Sequence, residues 1–327
     1  MINLFSPYLF KAGFDDLQGV KHSVTSNEVH VKNALAWLKR AQDVNGDGGV
    51  AGWYSLITGW APSYIETTGY IINTFLDCSK YLADKNFEKR AILMADFLLS
   101  MQHSTGGYRT HTPIVRKDSV PTVFDTGQDL IGLTDIYKLT KKEKYVDSVV
   151  RAADFLCKIQ ESDGSWRKFQ YGETSHTYDT RVAWGIFKVY EITKDNKYKK
   201  AALKNLEWVA GFQQSNGWFR KAELPPPNPK VPFTHTISYT IEGFLWSGIL
   251  LKEEKYIIIA QKAVDPILEF YTKHKFLPGT FDRNWESRDR YSCLTGDAQL
   301  SLVWLKFYEV TKDMKYFESA RNMNNFL

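Results

Sequence analysis

The stretch that decides the fold is RAADFLCKIQESDGSW, residues 151–166. Its apolar residues lie three and four positions apart, which predicts an amphipathic helix that ends near Gln160. Gly164 then provides a turn that closes the helix, and Trp166 follows two positions later. Weaker copies are MQHSTGGY (101–108) and FQQSNGWF (212–219). The sequence therefore has to be analysed first as a set of repeats.

Five small polar clusters recur about every 55 to 60 residues. They are YIETTGY (64–70), VFDTGQD (123–129), TYDTRVAWG (177–185), SYTIEGF (238–244) and CLTGDAQ (293–299). Each cluster leads into a strongly apolar helix, a polar turn such as KDNKY, and an amphipathic helix. A helix that is apolar on nearly every face must be covered all round, whereas an amphipathic helix needs cover on one side only. The repeat thus predicts helical hairpins arranged in an inner and an outer layer.

Hairpins of this kind, repeated five to six times, predict an all-α (α/α)n toroid, close to (α/α)6, with about eleven main helices. We expect one domain over residues 1–327. Residues 26–43 read as an outer helix with no inner helix before it, and residues 1–25 are expected to be irregular. The last inner helix is expected to be missing, unless residues 1–25 fill its place.

The composition excludes several classes of function. The net charge is +5 and the pI is near 8.8, but the basic residues are scattered among 37 acidic ones, so we expect no nucleic-acid partner. The N-terminal residues contain no sustained apolar run, which predicts neither a membrane span nor a secretory signal and favours a cytoplasmic protein. Three widely spaced cysteines, Cys78, Cys157 and Cys293, predict reduced thiols. The oligomeric state cannot be derived from the sequence.

The opening stretch resembles the QW motif of the squalene and terpene cyclases. The residues that fill its slots are Arg151, Ala152, Phe155, Leu156, Gln160, Gly164 and Trp166. This resemblance implies an α/α toroid, the ring that is also used by protein prenyltransferases and by six-hairpin glycosidases, polysaccharide lyases and uronyl epimerases. The acidic D-x-D-D cluster of the cyclases is absent here. Cys293 and Asp297 have the wrong order and spacing for the prenyltransferase zinc site, so we expect no metal and no cofactor.

The glycosidase, lyase and epimerase toroids are expected to place acids, tyrosines and histidines where inner helices begin, and this chain carries such residues there. The candidate catalytic residues are Glu66, Asp125, His176, Tyr178, Asp179, His235, Tyr239 and Asp297. A carboxylate at a helix start can also be a simple cap or a partner of the helix dipole. The histidine and tyrosine neighbours, which a cap does not need, favour chemistry.

The loops before the inner helices are rich in aromatic and basic residues that are suited to binding sugars. The candidate substrate-binding residues are Trp53, Tyr54, Trp60, Tyr64, Arg181, Glu242, Trp285, Arg288 and Arg290. Rings that merely cover the mouth of the toroid, and arginines in surface ion pairs, are the alternative interpretation. The proline-rich segment 224–232 is expected to be an extended loop that shapes the cleft.

Two reaction schemes suit this inventory. Hydrolysis of a glycosidic bond needs one protonated and one ionised carboxyl, for which Asp125 with Asp179 or Glu66 is the pair to test. Elimination or C5 epimerisation of a uronic acid needs a tyrosine or histidine base and a group that stabilises the anion. The sequence therefore predicts a carbohydrate-active enzyme that acts on an acidic polysaccharide or oligosaccharide. A terpenoid or prenyl-transferring enzyme and a non-catalytic carbohydrate-binding toroid remain the alternatives.

Overall fold

The computed structural model of the protein describes residues 7–18, 26–109, 119–225 and 230–327. Twelve α-helices lie within these ranges. They are α1 (Pro7–Gln18), α2 (Asn27–Asp43), α3 (Ile65–Leu82), α4 (Asn86–Met101), α5 (Val123–Thr140), α6 (Glu143–Ile159), α7 (Thr180–Thr193), α8 (Asn196–Ala210), α9 (Thr234–Leu251), α10 (Glu254–His274), α11 (Leu294–Thr311) and α12 (Met314–Phe326). Short 3₁₀ helices cover Tyr171–Glu173 and Thr177–Asp179, and β1 (Tyr54–Ser55) pairs antiparallel with β2 (Gly59–Trp60).

The helices form the two predicted layers. The inner helices α3, α5, α7, α9 and α11 each pack against the next inner helix, and each also packs against the outer helix that follows it in the chain. In α5, the residues from Val123 to Thr134 are all buried, as expected for a helix covered on every side. The hairpin repeat read from the sequence is confirmed. No helix in the described part of the chain is both long and apolar enough to cross a membrane.

The expectation that residues 1–25 are irregular is wrong for Pro7–Gln18, which form α1. Phe10, Phe14 and Leu17 have helical spacing, and a proline is well tolerated in the first turn of a helix. The segment lacks a sustained apolar run, which is why the sequence pattern did not predict this helix. Residues 1–6, 19–25 and 226–229 lie outside the described residues, so the extended loop expected at 224–232 is not described in full.

Glycines allow the inner helices to approach closely. A β-carbon placed on Gly132 of α5 would overlap the carbonyl oxygen of Gly69 on α3. A β-carbon on Gly185 of α7 would likewise overlap the carbonyl oxygen of Gly127 on α5. Backbone therefore meets backbone along this part of the inner layer, and the side chains at the starts of these helices are brought near one another.

Two of the repeated threonines, Thr68 and Thr126, each tie a loop to the inner helix that follows it. The Thr68 hydroxyl donates to the Tyr64 carbonyl at 2.6 Å and accepts from the Val50 N–H at 3.0 Å. Thr126 repeats the arrangement, because it donates to the Thr122 carbonyl at 2.6 Å and accepts from the Tyr108 N–H at 2.9 Å. These hydroxyls fix the loops that carry candidate site residues.

Gln160 confirms the structural role predicted for the opening stretch. Its amide nitrogen donates to the Gly164 carbonyl at 3.0 Å and to the Ala201 carbonyl of α8 at 2.9 Å. Gly164 has φ +94°, and a β-carbon there would overlap the Lys204 carbonyl, so a glycine is required. Trp166 is fully buried, and its indole N–H donates to the Leu156 carbonyl at 2.9 Å. The stretch therefore joins one hairpin to the next.

We expect Gln160→Ala to lower the free energy of unfolding by about 1–3 kcal/mol, because the Gly164 and Ala201 carbonyls in a tight interface each lose one hydrogen bond. Urea denaturation of wild type and variant measures the change. Glu161→Ala is the matched control, since the Glu161 side chain makes no hydrogen bond with another described residue. Equal losses in the two variants would contradict a specific role for Gln160.

A second contact repeats around the outer layer. A tyrosine near the start of each of four outer helices donates its hydroxyl to an acid on the preceding outer helix. The pairs are Tyr145 with Asp96 at 2.8 Å, Tyr198 with Asp154 at 2.9 Å, Tyr256 with Glu207 at 2.8 Å and Tyr316 with Asp265 at 2.5 Å. The aromatic residue of the polar turn between helices therefore connects neighbouring hairpins.

Candidate active site

The loops before the inner helices lie together at one end of the ring. Backbone hydrogen bonds join successive loops: Val123 N to Phe169 O at 2.9 Å, Thr177 N to Lys221 O at 3.0 Å, and Thr234 N to Gly279 O at 2.9 Å. The N-terminal turns of the inner helices therefore share this end, which we call the mouth. The candidate catalytic residues, which all lie at or just before these turns, are brought to the mouth as predicted from the sequence.

Glu66 on α3 and Asp125 on α5 form the centre of the site. Asp125 is fully buried, and the Tyr171 hydroxyl donates to its Oδ1 at 2.7 Å. Burial first, and then the negative charge of Asp125, raise the pKa of Glu66 to about 8, against smaller opposite effects from Tyr64 and Arg181. A carboxyl with this pKa carries its proton at neutral pH. Glu66 is thus the proton donor of the pair that it forms with Asp125.

Asp129 is a third acid of this centre, and the sequence reasoning missed it. It is fully buried one helical turn after Asp125, and burial, followed by the charges of Asp125 and Glu66, raises its pKa well above the usual range. Neither carboxyl oxygen has a hydrogen-bond partner among the described residues. Gly69 provides the space, because any side chain there would overlap Asp129. The spacing of four between two acids on a buried helix was the available signal.

His176, Tyr178 and Asp179 form a neighbouring group at the start of α7. The imidazole of His176 stacks on the Tyr178 ring with centroids 4.6 Å apart, and its Nε2 lies 3.0 Å from the Tyr171 carbonyl. Burial lowers the pKa of His176 and raises the pKa of Tyr178. Asp179 is fully buried, accepts a hydrogen bond from Gln170 at 2.5 Å, and has a pKa raised well above its usual value by burial. Burial therefore favours the neutral form of all three groups.

Arg181 lies beside this centre, but its guanidinium is already engaged. It forms a short buried ion pair with Glu242, and its Nε donates to the Gln128 side chain at 2.7 Å. The guanidinium carbon also lies 4.7 Å from the centre of the Tyr239 ring. Both members of the ion pair are 10% exposed or less. Arg181 and Glu242 thus hold α7 against α9, and neither presents a free charge.

His235 lies in the first turn of α9 and Asp297 in the first turn of α11, and these two inner helices pack against each other. The Nδ1 of His235 lies 2.6 Å from the side-chain oxygen of Gln299, and burial lowers the pKa of the imidazole. The His235 ring also contacts Tyr239, with centroids 4.2 Å apart. Asp297 is fully buried and accepts a hydrogen bond from Ser292 at 2.5 Å, while burial raises its pKa to about 6. Tyr239 also lies near the Glu66 and Asp125 pair, because burial first, and then the charges of these two acids, raise its pKa.

The candidate substrate-binding residues of the loops differ in accessibility. Trp53 and Tyr54 are 49% and 38% exposed, and Arg288 and Arg290 are also exposed. Trp285 is buried, and its indole N–H donates to the Asn216 carbonyl at 3.0 Å. The Trp285 ring is therefore part of the loop packing, which its position in a polar sequence did not reveal.

Within residues 7–18, 26–109, 119–225 and 230–327, no group of three or more His, Cys, Asp or Glu side chains is placed to hold a metal ion. The three cysteines, Cys78, Cys157 and Cys293, are free thiols. The chemistry that this site can perform with its own residues is proton transfer by carboxyl, hydroxyl and imidazole groups.

The raised pKa of Glu66 predicts a pH-dependent cost in stability. An acid whose pKa rises from 4.5 to about 8 on folding adds stability below pH 4.5 that is lost as the pH rises through about 8. We therefore expect Glu66→Gln to gain stability relative to wild type between these two pH values. Chemical denaturation of both proteins at each pH measures the difference, to which Asp125 and Asp129 also contribute because they interact with Glu66. A constant difference would show that Glu66 titrates normally.

A sequence model of the family described as pectic acid lyase matches residues 116–185. This range contains Asp125, Tyr178 and Arg181. No curated protein sequence matches the chain at a significant level.

Solved structures resemble nearly the whole chain. An unsaturated glucuronyl hydrolase specific for heparin has a TM-score of 0.70 at 17% identity, covering 91% of this chain and 82% of its own. A D-mannose isomerase has a TM-score of 0.70 at 14% identity, covering 94% and 88%. Cellobiose 2-epimerase from Bacillus thermoamylovorans B4167 has a TM-score of 0.69 at 12% identity, covering 91% and 86%. These likenesses confirm that the chain folds as an α/α toroid.

Proposed function

We propose that the protein is a carbohydrate-active enzyme that acts on a uronic-acid-containing polysaccharide or oligosaccharide, and that hydrolysis of a glycosidic bond is its reaction. The observation that carries this proposal is the pair of Glu66 and Asp125. They begin adjacent inner helices, one is protonated at neutral pH, and the charge of the other helps to keep it so. Glycoside hydrolysis needs one protonated and one ionised carboxyl.

The roles follow from the two environments. Glu66 keeps some solvent exposure and holds a proton, so it can give that proton to the leaving oxygen as the glycosidic C–O bond breaks. The carboxylate of Asp125, oriented by the Tyr171 hydroxyl, then takes a proton from the water whose oxygen bonds to the anomeric carbon. The products are two sugars with one new hydroxyl each. Asp125 then releases to solvent the proton that it took from water, and Glu66 takes up a proton from solvent.

Elimination is the second candidate, because the pectic acid lyase match covers the starts of α5 and α7. That reaction needs a base to remove the proton beside the uronate and a cation to stabilise the anion. Tyr178 is a poor base, since burial and the nearby acids raise its pKa, and Arg181 is paired with Glu242. Epimerisation shares the same first step. We therefore place hydrolysis first.

The alternatives from the sequence are less well supported. A terpenoid-type enzyme would gain from a centre lined by aromatic rings without carboxylates, but Glu66, Asp125 and Asp129 lie there. A non-catalytic binding toroid would gain from acids that are exposed and far apart, but these acids are buried and interact. The free cysteine thiols support placing the activity in the cytoplasm. The exposed Arg288 and Arg290 support an anionic substrate.

The test is a panel of polygalacturonate, heparin and their unsaturated oligosaccharides, incubated with the full chain. New reducing ends report hydrolysis, absorbance of unsaturated products reports elimination, and uptake of solvent deuterium reports epimerisation. We expect new reducing ends without new unsaturation, or loss of unsaturation where the substrate already carries it. New unsaturation would instead support elimination, and no change in any of the three signals with folded protein would overturn the proposal.

A further inference from the structure

Three aromatic side chains pack together on the rim of the toroid. We call Trp37, Tyr54 and Trp60 the aromatic platform. The ring centroids of Trp37 and Trp60 are 4.7 Å apart, those of Tyr54 and Trp60 are 5.0 Å apart, and those of Trp37 and Tyr54 are 5.7 Å apart. Trp37 remains 44% exposed and Tyr54 38% exposed. Large rings that fix one another and still face solvent are suited to stacking on a flat ligand.

Trp37 joins the platform from a different part of the chain. It lies on the outer helix α2, whereas Tyr54 and Trp60 form a cross-strand pair in the β1–β2 hairpin. The sequence analysis did not single out Trp37. The structure places its ring among the exposed aromatic residues, in contact with the rings of the hairpin.

A positive charge accompanies the platform. The guanidinium carbon of Arg40, one turn after Trp37 on α2, lies 5.7 Å from the centre of the Trp37 ring. Arg40 is exposed, and it forms no ion pair with another described residue. The nearby acid Asp43 is paired with Arg90 at 2.8 Å. The platform thus presents apolar faces and a free cation side by side, which suits a ring-shaped ligand with a negative charge.

The platform is continuous with the candidate active site. The hairpin is clamped to the start of α3 by a bridge between Ala51 and Ser63 and by the Tyr64 N–H, which donates to the Val50 carbonyl at 2.8 Å. Tyr64 in turn hydrogen-bonds Glu66. A short, fixed segment therefore connects the rings to the proposed acid. A ligand chain that leaves the mouth over this loop meets the platform next.

We propose that the aromatic platform with Arg40 is a binding site for distal units of an acidic polysaccharide, so that the protein prefers long chains to short ones. This inference rests on the proposed function for the class of ligand, but it concerns binding away from the reacting bond. Trp37 and Tyr54 supply stacking faces for sugar rings, and Arg40 pairs with a uronate or sulfate group.

The experiment measures binding rather than turnover, so that it stands even if no reaction is found. Full-length protein is run in native gels that contain polygalacturonate, heparin or neutral mannan, and the dissociation constant is read from the retardation. We expect Trp37→Ala to weaken binding of the retarding acidic polymer roughly tenfold. Arg40→Gln should weaken the binding of acidic polymers more than the binding of mannan, and added salt should reduce this difference.

Tyr81→Ala is the matched control. Tyr81 is 73% exposed, but it lies near the C-terminal end of α3, away from the mouth. The control should bind as wild type does. The proposal would be overturned if the acidic polymer retards Trp37→Ala as much as wild type. It would also be overturned if neither acidic polymer retards wild type. A dimer in wild type that Trp37→Ala dissolves on size exclusion would also overturn it, since the platform would then be a protein interface.

Discussion

Glu66→Gln is expected to reduce kcat by about 10²–10⁴-fold on the substrate found in the panel, because glutamine cannot donate the proton that the leaving oxygen needs. The substitution keeps the size of the side chain, so the fold should be retained and KM should change little. Initial rates at saturating substrate, together with circular dichroism, measure both. Glu143→Gln is the control, because Glu143 is exposed in the first turn of the outer helix α6.

The pH profile of the wild-type enzyme tests the same assignment independently. Glu66 acts in its protonated form, so activity should fall as the pH rises through about 8, the pKa to which burial and Asp125 raise this carboxyl. Asp125→Asn removes the neighbouring charge, and it should also abolish the removal of a proton from water, which we assign to the Asp125 carboxylate. Retention of full activity in Glu66→Gln, with an unchanged alkaline limb, would remove Glu66 from the mechanism.

Glu242→Ala is expected to lower the free energy of unfolding by about 3–5 kcal/mol, the largest stability effect that we predict. The substitution leaves the guanidinium of Arg181 buried without its carboxylate partner, and a buried unpaired charge is costly. Gln128 and the Tyr239 ring remain in contact with Arg181, but neither carries a compensating charge. Urea denaturation at neutral pH measures the loss.

The double variant Arg181→Met/Glu242→Leu separates charge from packing. Replacing both members of a buried ion pair with apolar residues of similar size is often close to neutral. We therefore expect the double variant to be more stable than Glu242→Ala. If the double variant is less stable than Glu242→Ala, then the cost of a buried, unpaired Arg181 does not explain the effect of Glu242→Ala. Our account of Glu242 would then be wrong.

The fold could be predicted from the sequence because its determinants are local and repeated. The stretch around Gln160 and Gly164, and the threonines Thr68 and Thr126, recur at fixed spacing with the same backbone partners. The mouth could also be predicted, since parallel inner helices must begin at one end. The sequence left both Glu66 and Asp179 open as partners of Asp125, because the charge coupling of Glu66 to Asp125 depends on how closely α3 approaches α5.

Three residues show where sequence reasoning fails in physical terms. Asp129 was missed because a polar residue in a buried helix is usually assigned to capping or packing, and only the fold shows that it lies against Gly69. Trp285 was a candidate for substrate binding because it lies in a polar loop, yet its ring packs inward. Trp37 was not singled out, yet its ring is exposed beside two others. Burial of a single side chain depends on distant partners that local pattern does not contain.

The tyrosine contacts of the outer layer also determine the order in which the hairpins unfold. Each of α6, α8 and α10 both gives a tyrosine hydroxyl to the helix before it and offers an acid to the helix after it. Stability is then carried by couplings between nearest neighbours. Loss of one hairpin weakens only the two beside it, so we expect fraying to advance from the chain ends inward. The central hairpins that hold Asp125 and Asp179 would be the last to exchange their amide hydrogens with solvent.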